Sequence, residues 1–324
     1  MGLKPHRQPE TLDGGRIMTK RTIILDCDPG HDDAVAIMLA HRSEKIDLLG
    51  ITVVSGNQTL EKTVQNTLNV CQYIGLNVPV YAGCGAPLLR EPIHAGFVHG
   101  ESGLDGTEFP PLTRKTQPEH AVLFLISKLL SVKEPVTVVA TGPLTNVAMA
   151  LRLEPKIKEH IEEILLMGGS MGAGNITPAA EFNMYCDPEA ADIVFRSGVK
   201  IRMVGLDVTQ KAMCTPSIYE KIESHGTPEC KLFGDTMRYY CKMEKEVFGV
   251  EGGALHDPVT IAWLIDPAVL TFDEMVVEVD RIPGTSYGRT NCDQYHLKEE
   301  KPNASVAVSI DVDRFWQVVE ETLK

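Results

Sequence analysis

Four aspartates lie within eight residues of one short segment, TIILDCDPGHDDAVAIMLA at positions 22–40; they are Asp26, Asp28, Asp32 and Asp33. The segment begins as an apolar strand and continues with the spacing of a helix. Like charges this close repel each other, so the cluster requires a positive partner. A hard cation would provide one, because calcium takes roughly six to eight oxygen ligands and prefers several carboxylates together with carbonyls.

Helix capping is the plainer interpretation of these aspartates, since Asp is favoured at an N-cap and in the first turn. One cap needs one carboxylate, however, so capping explains a single aspartate better than four. An EF-hand loop requires a bidentate Glu at its twelfth position. That position is Ile37 counted from Asp26 and Leu39 counted from Asp28, which excludes the motif.

A metal-dependent phosphohydrolase of the haloacid-dehalogenase type is an alternative, because it also places Asp-x-Asp after the first strand. Such enzymes carry Thr or Val soon after the following glycine. Here the sequence after Gly30 is His31-Asp32-Asp33. The departure weakens this alternative without removing it.

The composition limits the classes of partner. The chain has 324 residues, 31 basic and 44 acidic, and a formal net charge of -13. No basic stripe is present, so we expect no nucleic-acid partner. No apolar run is long enough for a membrane span, so we expect no membrane partner either. Eight cysteines without a C-x-x-C pair predict reduced thiols and a cytoplasmic location.

Apolar runs alternate with helical patterns along the chain, which predicts an α/β fold with a mostly parallel central sheet and helices on both faces. The predicted strands cover 22–28, 48–56, 78–83, 136–142, 163–169 and 200–206, and clear helical spacing covers 59–75 and 120–131. An antiparallel appendage of hairpin or edge strands is predicted over 274–280, 286–291 and 304–312, before a last helix at 313–323. We expect a disordered extension or tag over 1–17 and a single domain over 18–324.

Ligands in such folds bind outside the carboxyl ends of the strands. Small, polar and acidic residues gather at these ends, at 26–33, 55–57, 140–146, 167–175 and 205–209. The four aspartates belong to the first of these segments. The sequence therefore predicts one site at this edge of the sheet.

The motif DCDPGHDDA at 26–34 closely resembles the N-terminal motif of the nucleoside hydrolases, the inosine-uridine-preferring N-ribohydrolase family. The likeness continues from about Lys20 to the last helix, through GN (56–57), HGESG (99–103), TGPLTN (141–146), LMGG (166–169), GN…AEFN (174–183), DPEAA (187–191) and HDP (256–258). The resemblance implies a Rossmann-like nucleoside hydrolase fold. It also implies hydrolysis of the N-glycosidic bond of ribonucleosides to free base and ribose, in nucleoside salvage.

Roles for individual residues follow from the resemblance. It implies a calcium ion held by Asp28, Asp33, Asp257 and the main-chain carbonyl of Thr141. Asp28 would also be the general base toward water, and His256 the general acid that protonates the leaving base. The implied substrate contacts are Asp32, Asn57, His99, Met167, Asn175, Glu181, Phe182 and Asn183. Asp26 would support the loop.

Plainer interpretations apply to some of these residues. Asp257-Pro258 is also how a helix starts, and we interpret Asp187-Pro188 and Asp266-Pro267 as plain caps. His256 on its own would more often be an ordinary half-buried histidine. A non-catalytic nucleoside- or calcium-binding relative would be expected to lack His256 or an Asp ligand, and this chain has both.

The choice of base also follows from resemblance. The segments at 99–106 and 278–293 look like the pyrimidine-favouring bacterial branch, so we expect uridine and cytidine to be preferred; a broad inosine-uridine hydrolase is the alternative. Tyr239 and Tyr240 are candidates to cover the base. The purine-specific branch stacks the base between tryptophans, whereas Trp263 and Trp316 lie in apparent core helices. The resemblance further implies a homotetramer.

Overall fold

The computed structural model describes residues 20–324. The predicted extension over 1–17 lies outside these residues. The strands are β1 (Arg21–Cys27), β2 (Ile46–Val53), β3 (Val80–Ala82), β4 (Val136–Ala140), β5 (Ile161–Met167), β6 (Ile201–Val204), β7 (Met213–Cys214), β8 (Gly253–Ala254), β9 (Leu270–Met275), β10 (Val277–Val279), β11 (Thr290–Cys292) and β12 (Ala304–Ile310).

The α-helices have the following bounds: α1 (His31–Arg42), α2 (Leu60–Tyr73), α3 (Gly96–His99), α4 (Ala121–Ser131), α5 (Thr145–Leu153), α6 (Phe182–Cys186), α7 (Pro188–Phe195), α8 (Leu206–Thr209), α9 (Pro216–Glu223), α10 (Pro228–Phe248), α11 (Pro258–Ile265) and α12 (Val312–Leu323). Two short 3₁₀ helices cover Pro155–His160 and Pro267–Val269. Within residues 20–324, no helix combines the length and the apolar character needed to cross a bilayer.

The central sheet has eight strands in the order β3-β2-β1-β4-β5-β6-β12-β9. Every neighbouring pair is parallel except β12 with β9, which is antiparallel. Side chains of β1 alternate between two apolar clusters, with Ile23 and Leu25 on one face and Ile24 on the other. Both faces are therefore covered, and the predicted fold class is confirmed.

The C-terminal strands differ in part from the prediction. The segment predicted as one strand over 274–280 is divided between β9 and β10, and β10 pairs with β11 as a separate antiparallel hairpin. The strand predicted at 304–312 is not an edge strand. It lies inside the main sheet as β12, because residues 304–307 are buried and pair with β6 on one side and β9 on the other.

The helix α1 brings distant segments to the carboxyl edge of the sheet. Three residues separate it from β1, and its residues from His31 to Ala40 are all buried. The helices packed against it are α2, α10, α11 and α12. Because α11 begins directly after Asp257, the packing of α1 against α11 places Asp257 beside the aspartates of the first turn of α1.

Candidate active site

A cavity of about 550 Å³ contains most of the predicted site. Ten of the predicted site residues line it, and they are Asp32, Asn57, His99, Met167, Asn175, Glu181, Phe182, Asn183, His256 and Asp257. Asp28, Asp33 and Thr141 are buried and are not among the lining residues. The structure thus brings together side chains from segments that are far apart in the sequence.

Three carboxylates meet at one point of this cavity. Asp32, Asp33 and Asp257 each offer an oxygen atom, and these atoms all lie within 4.8 Å of one another. Asp28 and Asp33 are completely buried. Within residues 20–324, neither they nor Asp32 and Asp257 form an ion pair with Lys or Arg. The negative charge has no cationic counterpart among the described side chains.

Asp28 is held by one of its oxygens only. Its Oδ2 accepts a hydrogen bond of 2.6 Å from the backbone N–H of Asn57, whereas its Oδ1 is buried without a hydrogen-bond partner among residues 20–324. A side chain at Gly56 or Gly142 would collide with this carboxylate, so both positions require glycine. An orphaned buried carboxylate oxygen is costly unless a ligand satisfies it.

Asp33 is more fully bonded. Its Oδ1 accepts from the Thr141 hydroxyl at 2.8 Å, and its Oδ2 accepts from the Gly30 N–H at 3.1 Å and from Asn57 Nδ2 at 3.2 Å. The bond to Gly30 closes the first turn of α1, so the capping interpretation is confirmed for this one aspartate. It does not account for Asp28 or Asp257.

The electrostatics of the cluster reflect this burial. Burial first, and repulsion between the aspartates second, raise the pKa of Asp28 and of Asp257 well above the ordinary value. The same two causes raise the pKa of Asp33 to about 7. A bound divalent cation would reverse this effect, because an opposite charge favours the ionised carboxylate.

Asp26 precedes the cluster in the sequence, and its hydrogen bonds connect the elements around it. Its Oδ1 accepts from Thr52 Oγ1 at 2.5 Å and from Asn146 Nδ2 at 2.8 Å. Asn146 also donates to the carbonyl of Val53, so this network ties β1, β2 and the start of α5 together. Burial raises the pKa of Asp26 to about 7. Sequence reasoning did not identify Asn146, although it lies in the TGPLTN strand end.

The three Asp-Pro helix starts behave differently. Asp187 and Asp266 each accept a capping hydrogen bond from an N–H of their helix, at 3.0 and 3.1 Å, which confirms both as caps. Asp187 is not only a cap, because its Oδ2 also accepts from the Thr145 hydroxyl at 2.7 Å. Asp257 precedes its proline in the same way but makes no capping hydrogen bond. One of its carboxylate oxygens lies within 4.8 Å of one from Asp33 instead. Asp257 is therefore the one of the three aspartates whose carboxylate does not cap its helix.

His256 has a partner that the sequence analysis did not identify. Its Nδ1 lies 2.8 Å from the hydroxyl of Thr209, the last residue of α8. A hydroxyl can donate to this nitrogen or accept from it, so Thr209 orients the ring in either protonation state. Burial lowers the pKa of His256. The signal for Thr209 was its position in the strand end at 205–209.

One wall of the cavity is built from the segments after β5. Glu181 caps α6 and accepts from the N–H groups of Gly169, Asn183 and Met184 at 2.9, 2.8 and 3.0 Å. Gly169 reaches this position with a φ of 74°, which favours glycine. Burial raises the pKa of Glu181 to about 7.

Two asparagines of this wall each use only one of their two side-chain polar atoms in hydrogen bonds within the protein. Asn175 Oδ1 accepts from the N–H of Phe182 at 2.9 Å. Asn183 Nδ2 donates to the carbonyls of Thr141 and Met167 at 2.8 and 3.2 Å. Each amide thereby uses one polar atom within the protein. The other atom, Nδ2 of Asn175 and Oδ1 of Asn183, makes no hydrogen bond within residues 20–324 and can therefore bond to a ligand.

Sequence reasoning missed most of the remaining lining of the cavity. It includes Phe97, Gln210, Met213, Tyr240, Glu244, Phe248 and Val250, most of which are apolar. Of the two candidate tyrosines, Tyr240 lines the cavity while Tyr239 packs against His31. Trp263 and Trp316 lie in α11 and α12 and do not line it.

Comparisons with known proteins agree with this geometry. The sequence model described as inosine-uridine preferring nucleoside hydrolase matches residues 23–317. The pyrimidine-specific ribonucleoside hydrolase RihB of Escherichia coli (strain K12) is 50% identical over 307 residues, which cover 95% of this chain and 98% of that protein. Among solved structures, a plant nucleoside hydrolase (the PpNRh1 enzyme) matches with a TM-score of 0.87 and 33% identity, covering 94% of this chain and 98% of the other. The purine-preferring ribonucleoside hydrolase from Gardnerella vaginalis has a TM-score of 0.87 and 34% identity over the same shares.

Proposed function

Because this chain belongs to the inosine-uridine preferring nucleoside hydrolase family and is an enzyme that cleaves the N-glycosidic bond of ribonucleosides, we propose that it does so with calcium and prefers uridine and cytidine. The relative at 50% identity, whose name describes a pyrimidine-specific enzyme, supports the preference. We place the reaction in nucleoside salvage. Family membership leaves the phosphohydrolase and the non-catalytic alternatives without support.

The observation that carries the proposal is the uncompensated carboxylate cluster beside the cavity. Oxygens of Asp33 and Asp257 lie within 4.8 Å of each other and of one from Asp32, and Asp28 Oδ1 is buried without a partner among residues 20–324. A set of hard oxygen donors with excess negative charge fits calcium. We assign the ion to Asp28, Asp33, Asp257 and the carbonyl of Thr141. When bound, calcium would neutralise the cluster and make water more acidic.

Asp28 is the general base in this proposal. Its Oδ2 is fixed by the N–H of Asn57, so the carboxylate has one orientation. A carboxylate held in this way can take the proton of a water that attacks the ribose. N-glycosidic cleavage passes through an oxocarbenium-like sugar, and the negative side chains around it stabilise that positive charge.

His256 is the general acid. The Thr209 hydroxyl occupies Nδ1, which leaves Nε2 to carry the proton toward the leaving base. Burial lowers the pKa of His256, so its imidazolium is a stronger acid than a free one and gives up its proton more readily. Tyr240 and the apolar residues around it form the surface against which the base lies.

The ribose is held by polar atoms of Asp32 and of three asparagines. Asp32 accepts from ribose hydroxyls, Asn183 offers Oδ1, and Asn175 offers Nδ2. Asn57 donates through Nδ2 to the carbonyl of Asp28 and to Asp33, so its Oδ1 is also left for a hydroxyl. These groups favour ribose over 2′-deoxyribose, because a missing hydroxyl leaves buried atoms unpaired at a cost of about 1–3 kcal/mol.

A panel of substrates tests the proposal. Release of the free base would be measured from uridine, cytidine, inosine, adenosine and 2′-deoxyuridine, in calcium and after chelation. We expect calcium-dependent release that is fastest with uridine and cytidine and much slower with 2′-deoxyuridine. Full activity after chelation would contradict the calcium site, and equal rates for uridine and 2′-deoxyuridine would contradict the ribose contacts. Faster release from inosine would favour the broad hydrolase.

The acid role of His256 has its own test. Uracil is a poor leaving group without a proton, so His256→Ala should lower kcat on uridine by about 10²–10⁴. Nitrophenolate leaves unaided, so the same variant should keep nearly all activity on p-nitrophenyl riboside. His296→Ala, at an exposed position, is the control. Parallel losses on both substrates would show that His256 only packs beside Asp257.

We also propose that the enzyme is a cytoplasmic homotetramer. All eight cysteines lie within the described residues and are free thiols, which suits a reducing compartment. The tetramer rests on the family resemblance alone. Light scattering on the eluted protein would measure the mass of the assembly against the 35.6 kDa chain.

A further inference from the structure

A second histidine, which the proposed mechanism does not use, lies behind the cavity residue His99. His31 is the first residue of α1 and is completely buried. Its ring lies nearly parallel to those of His99, Tyr239 and Tyr240, with centroid distances of 5.4, 5.2 and 5.7 Å. Such burial favours the neutral imidazole, which carries a hydrogen on only one of its two nitrogens.

The hydrogen bonds of His31 determine which nitrogen that is. His31 Nε2 lies 2.8 Å from the backbone carbonyl of Asp105, and a carbonyl can only accept. The hydrogen is therefore on Nε2, and His31 Nδ1 bears a lone pair. That lone pair faces His99 Nδ1 at 3.1 Å, so the hydrogen of this second bond must come from His99.

One contact opposes this assignment. The backbone N–H of His31 also points at His99 Nδ1, at 3.4 Å. That distance exceeds the usual range of about 2.7–3.2 Å for such bonds, whereas the carbonyl bond of His31 lies well inside it. The shorter bond decides the arrangement. His99 then has its hydrogen on Nδ1, and its Nε2 makes no hydrogen bond within residues 20–324.

We infer that His31 is a positioning residue: with the carbonyl of Asp105 it holds His99 in the Nδ1–H tautomer, so that His99 meets the nucleoside through an Nε2 lone pair. A lone pair selects a hydrogen-bond donor. The 2′- and 3′-hydroxyls are the ones proposed for Asp32 and the asparagines, which leaves the 5′-hydroxyl or the N3–H of uracil, a hydrogen that cytosine lacks. This kinetic consequence rests on the proposed contact between His99 and the substrate, whereas the tautomer does not.

The tautomer is measured directly by ¹⁵N–¹H correlation spectra of histidine-labelled protein, with His99 identified by its loss in His99→Gln. We expect a protonated Nδ1 and a bare Nε2 in the wild-type protein. His31→Phe keeps a ring of similar shape but removes both nitrogens, so His99 should move to the Nε2–H form. His41→Phe, the same change further along α1, should leave it unmoved. A wild-type His99 protonated on Nε2 would overturn the inference.

Kinetics show whether His31 acts through His99. His31→Phe should lower kcat/KM on uridine by about threefold to tenfold, the effect of one lost hydrogen bond. His31→Asn, which keeps an acceptor toward His99, should recover part of it. In a His99→Gln background, adding His31→Phe should not lower kcat/KM any further. Additive losses would mean that His31 is only structural and would overturn the inference.

Substrate analogues distinguish the two donors. The penalty of His31→Phe should vanish on 3-methyluridine if the donor is N3–H, and on 5′-deoxyuridine if it is the 5′-hydroxyl. The same penalty on both analogues and on uridine would overturn the lone-pair contact. If the wild-type tautomer is as expected but no nucleoside is hydrolysed, the proposed function fails while the tautomer assignment stands.

Discussion

Buried carboxylates lie toward both ends of the strands of the central sheet: a single one toward the amino ends and a cluster at the carboxyl ends. Toward the amino ends of the strands, Glu163 of β5 is surrounded by Arg202, Lys200 and Arg21, with N···O distances of 2.7, 3.0 and 3.6 Å. At the carboxyl ends, Asp28 and the three converging aspartates have no Lys or Arg partner within residues 20–324. Burial is nearly the same, since Glu163 is 2% exposed and Asp257 is 3% exposed.

The difference identifies which of the two regions needs a ligand. The chain supplies its own cations to Glu163 and holds two of them against a ring, since Arg21 and Arg202 lie 5.0 and 4.6 Å from the centre of Trp263. A buried charge must be paired or must coordinate a metal. The negative charge of Glu163 is therefore neutralised by side chains of the protein itself, whereas the charge of the aspartates is not. Altering one region should change stability alone, and altering the other should change activity and the response to calcium.

The largest effect is expected at Asp28. Asp28→Asn removes a proposed calcium ligand and the proposed general base together, so kcat on uridine should fall by at least about 10²–10⁴. Asp266→Asn is the matched control, because Asn caps helices as well as Asp, and kcat should stay within about twofold. Ribose release measures both variants. Substantial turnover by Asp28→Asn would remove Asp28 from the base role.

Calcium should stabilise the wild-type protein and not the protein with a damaged cluster. At a calcium concentration of 100 Kd, binding to the native state alone adds about 2.7 kcal/mol. The melting temperature of chelated wild-type protein should therefore rise by several degrees on adding calcium, as followed by thermal denaturation. In Asp33→Asn the rise should be largely lost. An undiminished rise would place the ion elsewhere.

Glu163→Gln should show the opposite pattern. Three cations lose their counter-charge, but they are partly exposed to water, so the free energy of unfolding should fall by only about 1–3 kcal/mol. The loss, measured by urea denaturation, should be equal in calcium and in chelator, and kcat/KM should not change. A loss of stability that depends on calcium would mean that Glu163 and the aspartate cluster are energetically coupled. The contrast drawn between the two regions would then be wrong.

The same contrast applies on a smaller scale within His256. Its Nδ1 bonds to Thr209, whereas its Nε2 has no partner within residues 20–324 and is the atom that we propose faces the substrate. Thr209→Val removes the partner of Nδ1, so kcat/KM on uridine should fall by about threefold to tenfold. Thr209→Ser keeps the hydroxyl and should retain the activity. Rates on p-nitrophenyl riboside should be unchanged in both variants, because that substrate needs no acid. An equal loss on this substrate would contradict the orienting role.

Much of this could be predicted from the sequence, for local reasons. The continuously apolar runs identify strands that are covered on both faces, and the four aspartates at 26–33 are close enough in the sequence to be recognised as a cluster. The caps at Asp187 and Asp266 are also local, because a cap bonds to residues two or three positions ahead. Each of these features depends on residues close together in the chain.

The rest depends on contacts between distant segments. Asp257 entered the predicted site through resemblance only, since nothing near it in the sequence distinguishes it from the two capping aspartates. Thr209 and His31 each acquire their roles from a partner on another element. The interior position of β12 was missed because alternation along ASVAVSI is also typical of an edge strand. All of these features depend on the order of the strands in the sheet and on the packing of the helices. Neither can be predicted from the spacing of residues within one segment.

The interior position of β12 has a consequence for biosynthesis. A ribosome makes β9 before β12, yet β12 lies between β6 and β9 in the finished sheet. Until residues 304–310 emerge, β6 presents an unpaired edge and β9 has no neighbour in the main sheet. Unpaired strand edges recruit other chains, so the nascent protein is exposed to aggregation late in its synthesis. Insertion of this strand joins the two parts of the sheet and ends that exposure.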